Sequence, residues 1–142
     1  MQYLARFERD GDGWLVTFPS LPEAITGGAD IAAARANAID ALEVVLLTYA
    51  KDGREIPPAD KQRKSKAHEV VSPSASVVAK LGFIDTFRKS GLTRVGLAKR
   101  LGKAEGEIRR MLDPYHATKL PTLEDAMKVL GKCYVVLVEE MA

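Results

Sequence analysis

The densest group of residues with a chemical use runs Leu92-Thr93-Arg94-x-x-Leu97-Ala98-x-x-Leu101-Gly102-Lys103-Ala104-Glu105-x-Glu107-Ile108-Arg109-Arg110-Met111-Leu112. Apolar residues at helical spacing on both sides of Gly102 describe two short helices joined by a turn. Ala98 is small where the two backbones would approach most closely. This is the spacing of a helix-turn-helix, in which the second helix enters the major groove of a duplex and the first crosses its backbone. The groove is ~12 Å wide and admits one helix, so the chemistry required is a short exposed helix with polar groups near its start. The residues expected at such an interface are Thr93, Arg94, Lys103, Ala104, Glu105, Glu107, Arg109, Arg110 and, in the following loop, Lys119. Arg94 and Lys119 are placed to reach phosphates. Glu105 and Glu107 oppose phosphates unless they accept from a cytosine amino group or pair with Arg109 and Arg110. The competing reading is a plain helical hairpin with a solvated charged face.

Catalytic chemistry has little support. His68 and His116 fall in polar stretches with no nucleophile in an adjacent motif. Asp10 and Asp12 alternate with Gly11 and Gly13, which suits a hairpin turn better than a cation loop. Gly27-Gly28 lacks the spacing of a nucleotide-binding loop and reads as a strand-to-helix turn. Cys133 is the single cysteine of the 142 residues, so an internal disulfide and a cysteine-based zinc cluster are excluded. No metal or cofactor is expected.

The formal charge of +2 conceals a division. Residues 1–60 hold five Lys/Arg against ten Asp/Glu, a net of −5, and residues 61–142 hold sixteen against nine, a net of +7. Such asymmetry points to two units facing different partners, an acidic one suited to a basic protein and a basic one to a polyanion. Hydrophobic residues at 46% and charged residues at 28% fit a cored globular protein. No apolar run approaches the ~18 residues of a membrane span and no secretory leader opens the chain, so a cytoplasmic location is expected.

The elements that must position these residues read as α+β. Tyr3, Ala5 and Phe7 alternate with Leu4, Arg6 and Glu8 as one strand, and Trp14, Val16 and Phe18 with Leu15 and Thr17 as a second. A third spans Glu23 to Thr26 and ends at Gly27-Gly28. Asp30 caps a long helix carrying Ala34, Ala38, Ala41, Leu42, Val45, Leu46 and Tyr49, stopped by Gly53. This gives a β-β-β-α unit over residues 1–60. Residues 61–73 read as a basic linker holding Lys61, Arg63, Lys64 and Lys66, with Val70-Val71 as a last short strand. Residues 74–142 read as an all-α helix-turn-helix domain with helices at Ser76–Lys89, from Thr93, at Ala104–Leu112 and from a Thr122 cap. The β-branched run Cys133–Val138 then predicts a strand whose unpaired backbone is satisfied by its two-fold mate, with Tyr134, Val136 and Val138 at the dimer contact.

Two motif sets carry a family resemblance. One is Phe7-Glu8-x-Asp10-Gly-Asp12-Gly-Trp14-x-Val16-x-Phe18-Pro19-x-Leu21-Pro22, continued by Thr26-Gly27-Gly28 before the helix with Ala34, Asn37, Ala38 and Ala41-Leu42. The other is Asp113-Pro114-Tyr115-His116-Ala117-Thr118-Lys119-Leu120-x-Thr122-Leu123-Glu124. In this order they resemble the helix-turn-helix form of the HicB antitoxins of bacterial toxin–antitoxin systems. The resemblance implies a first unit like a partial RNase H sheet without a nuclease centre. It also implies that this unit masks a small basic mRNA-cleaving toxin of the HicA type, and that the second unit binds operator DNA and represses its own operon. On that basis Asp10, Asp12, Trp14, Phe18 and Glu23 are the expected toxin contacts, although Trp14 and Phe18 fit a core equally well. A homodimer is expected, with higher oligomers forming through the first unit. The competing function is a helix-turn-helix regulator whose first unit senses a small molecule or retains nuclease activity.

Overall fold

The alternation along residues 3–17 forms two antiparallel strands, β1 (Tyr3–Asp10) and β2 (Gly13–Thr17), in a computed structural model that describes residues 1–60 and 67–140. Gly11, at φ +59°, makes the tight turn between them. Phe7 stands opposite Val16 and Arg9 opposite Trp14, so Tyr3, Ala5, Phe7 and Val16 share one buried face. Phe18, just past β2, is 2% exposed and closes that core.

The third strand is β3 (Ile25–Gly28), two residues later than the alternation suggests. Gly27 and Gly28 lie inside the strand and not in a turn after it, and they are glycine where other backbone comes too close for a side chain. A Cβ on Gly27 would stand 2.4 Å from the Trp14 carbonyl oxygen. One on Gly28 would stand 2.4 Å from the Ala34 nitrogen, in the first turn of α1 (Ile31–Lys51). That helix starts where the Asp30 carboxylate accepts from the Ala33 amide at 2.8 Å, and Asn37 ties it to the sheet by donating to the Gly27 carbonyl at 2.7 Å. Gly53, at φ +71°, ends it by donating to Ala50, with Arg54 donating to Tyr49. The expected short strand at Val70-Val71 forms as β4 (His68–Val71), antiparallel to β1, and the sheet order is β3-β2-β1-β4.

Residues 57–60 are fastened to this sheet. Tyr3 donates its hydroxyl to the Pro57 carbonyl at 2.7 Å, and the Asp60 carboxylate accepts from the Leu4 amide and the Ser20 hydroxyl. The basic residues Lys61, Arg63, Lys64 and Lys66 of the expected linker lie outside the described residues.

The chain divides into two compact units, Met1–Val78 and Ala79–Ala142, and the division passes through the first turn of α2 (Ala75–Ser90). The second unit continues with α3 (Arg94–Leu101), α4 (Glu105–Met111) and α5 (Leu120–Val129). Leu81, Phe83 and Ile84 of α2 form its core with Leu97 and Ala98 of α3, Ile108 and Met111 of α4, and Leu123, Ala126 and Met127 of α5. Burying each large member of this set is worth roughly 1.5–3 kcal/mol.

Two expectations are corrected here. Thr122 is not the cap of the last helix. The helix begins at Leu120, with Lys119 at the cap position and Pro121 in the first turn, where its missing N–H leaves no hydrogen bond unmade. The run Cys133–Val138 is also not a strand in the single chain. A strand needs a neighbouring ladder, and among its described residues the second unit offers only helices. Val135, Val136, Leu137 and Val138 are instead 77–90% exposed.

Candidate functional site

The clearest arrangement of polar groups on the second unit is built by α3 and α4. Thr93 starts α3 by accepting from the Gly96 amide at 3.0 Å. Gly102 ends it at φ +64°, and the next amide, Lys103, donates to the Ala98 carbonyl at 3.0 Å, which turns the chain directly into α4. Ala98 is buried at that junction, and its lack of bulk lets the two helices meet. Ile108 and Met111 anchor the inner side of α4, leaving Arg109 and Arg110 exposed on the outer side. Thr93, Arg94, Ala104 and Lys119 are exposed too.

The charges are organised as well as displayed. Glu105 accepts from Arg109 at 3.0 Å and stands 3.4 Å from Arg94, so one carboxylate holds a guanidinium from each helix. Glu107 stands 3.6 Å from Lys103. Arg110 has no ion pair among the described residues. The glutamates that weakened an electrostatic reading of the sequence are therefore largely neutralised by their own neighbours.

Behind this surface lies Lys80, which sequence reasoning missed. Its Nζ donates to the Met111 carbonyl at 2.8 Å and to Thr118 Oγ1 at 2.6 Å, and its side chain is buried. Burial pulls its pKa down to about 8, with Asp113 acting in the opposite direction. Position 80 lies on the Val77–Leu81–Ile84 stripe of α2, and a lysine on an apolar stripe is the signal that marks it.

Tyr134, expected at a dimer contact, is engaged within its own unit. Its hydroxyl donates to the Ala79 carbonyl at 2.6 Å, and burial, with Glu124 adding to it, pushes the phenol up to about 12.

On the first unit, Asp10 and Asp12 are exposed at the β1–β2 turn, and Arg9 lies over the half-exposed Trp14 ring at 5.1 Å. Phe18 belongs to the core and not to this surface. Glu23 does not join the cluster either. It precedes β3, whose Ile25 pairs with Thr17, at the far end of β2 from Gly13. There it accepts from the Tyr49 hydroxyl at 2.6 Å and from Arg54 at 3.1 Å, and these bonds hold its carboxyl below the usual range. The expected contacts thus separate into a hairpin group (Asp10, Asp12, Trp14), a core residue and a residue committed to the end of α1. Among the described residues no group of three or more His, Cys, Asp or Glu is placed to hold a metal ion, and no helix is long and apolar enough to cross a membrane.

No family model matches the chain. Antitoxin HicB 2 of Photorhabdus laumondii is 38% identical over 132 residues, covering 93% of this chain and 92% of that protein. Antitoxin HicB of Escherichia coli is 37% identical over 120 residues, covering 84% and 86%, and Antitoxin HicB of Pseudomonas fluorescens is 33% identical over 132 residues, covering 93% and 89%. The chain belongs to the HicB antitoxin family. The likeness to these HicB proteins extends through both compact units, and it supports an antitoxin role for the chain as a whole.

Proposed function

We propose that the protein is an antitoxin with two separable tasks. Its first unit covers a small basic mRNA-cleaving toxin of the HicA type. Its second unit binds operator DNA as a helix-turn-helix homodimer and represses its own operon. Catalysis forms no part of either task.

The observation that carries the DNA reading is the outer side of α4. A seven-residue helix is anchored by Ile108 and Met111, exposes Arg109 and Arg110, and is preceded by Arg94 at the start of α3. Guanidinium groups so placed suit phosphate and guanine recognition. The toxin reading is supported by family membership and by the net −5 of residues 1–60, the complement of a basic partner. Asp10, Asp12 and Trp14 remain together as its contact group. The homodimer is supported by the exposed aliphatic run of residues 135–138, which a second copy would cover.

Two measurements test this. The purified chain should bind a duplex from upstream of its gene in preference to a scrambled one, with affinity falling steeply as salt rises because basic side chains displace condensed counterions. In cells expressing a small basic toxin of the HicA type, co-expression of the chain should restore growth. A chain that neither prefers the upstream duplex nor restores growth would contradict both tasks.

A further inference from the structure

Among the described residues Lys80 is the one charged side chain that is buried, at 5% exposure. A buried ammonium is costly to desolvate, and the depressed pKa of about 8 reflects that cost. A methionine of similar length would fill the same space without it. What the ammonium supplies is direction. It bonds the carbonyl of Met111, the last residue of α4, and the hydroxyl of Thr118 in the loop before α5. Since α4 has seven residues and no side-chain cap at its start, its aim depends on how its far end is held. Ala79, adjacent to Lys80 on α2, accepts from Tyr134 at the root of the exposed aliphatic tail. One stretch of α2 therefore holds both the end of α4 and the segment proposed to join two copies.

We propose that Lys80 is a positioning residue for duplex recognition, fixing α4 so that Arg109 and Arg110 of two copies meet successive groove segments in register. The inference rests on the DNA-binding reading above and deepens it. Lys80 does not touch the duplex. It acts through the carbonyl of Met111 and through Thr118.

The test uses the full chain, the upstream duplex and a scrambled duplex. Lys80→Met should lower affinity for the upstream duplex at least tenfold. Affinity for the scrambled duplex, the slope of affinity against salt and toxin neutralisation should stay unchanged, and Tm should stay equal or rise. Thr118→Val should act in the same direction, and the double variant should be no weaker than Lys80→Met alone, since both remove one arrangement. Should Lys80→Met fail to fold, Thr118→Val decides, with weakened upstream binding at unchanged Tm in favour and unchanged binding against. Wild-type affinity in Lys80→Met overturns the proposal. So does a salt slope reduced by about one, which would make Lys80 a phosphate contact. A wild-type chain with no preference for the upstream duplex is a different outcome, and it removes the DNA reading together with this one.

Discussion

Glu105 stands between Arg94 and Arg109, and exposed pairs of this kind contribute at most about 1 kcal/mol to stability. In the proposed DNA reading their effect falls on binding. The carboxylate repels phosphates and restricts two guanidiniums that would otherwise reach for any backbone. Glu105→Gln should therefore raise affinity for upstream and scrambled duplexes alike by several-fold and steepen the salt dependence, while the ratio between the two affinities shrinks. A fluorescence titration against both duplexes at three salt concentrations checks this, and equal losses on both would contradict it. The helix spacing made these residues legible from the chain alone. The pairing of Glu105 with Arg109 was legible as well, from its i,i+4 position, whereas that with Arg94 was not, because Arg94 meets Glu105 only through the turn at Gly102. Phe18 shows the reverse problem. An aromatic at the end of a strand reads as anchor or core with equal ease, and its burial to 2% exposure decides for the core.

At the scale of elements, the caps were readable wherever a single side chain or glycine does the work: Asp30 and Gly53 on α1, Thr93 and Gly102 on α3. The displaced elements are those set by packing. β3 slides to Ile25–Gly28 because α1 needs glycine beneath Ala34, and α5 starts at Leu120 because Pro121 fits its first turn. Lys80 gives the joint between α2 and α4 a pH signature. Its pKa is about 8 in the folded chain against an ordinary 10.5. Between those values the unfolded chain binds more protons than the folded one, so stability contributed by this group rises with pH across roughly 8 to 10.5. Thermal unfolding followed at pH 7.5, 9 and 10 should show a smaller relative loss for the wild type than for Lys80→Met. Parallel profiles would show that Lys80 keeps an ordinary pKa.

For the whole molecule, charge and the aliphatic tail define what each unit offers. The net −5 of residues 1–60 and +7 of residues 61–142 were visible in composition, as was the β-branched run near the end. What would cover that run was not, because one chain gives it no ladder and leaves Val135 to Val138 exposed. Replacing Val136 and Val138 by Asp should convert a dimer to a monomer by light scattering. It should also weaken operator binding by more than tenfold, since two half-sites no longer bind as one. An unchanged mass would place the dimer contact elsewhere.

The separation of the two proposed tasks is tested most directly by one strain carrying a HicA-type toxin gene, a reporter under the promoter upstream of this chain's gene and the chain with Arg109→Ala and Arg110→Ala. Growth should match the wild type while the reporter is released from repression. Loss of growth rescue together with repression, or repression left intact, would contradict the assignment of DNA reading to α4 and of toxin masking to the first unit.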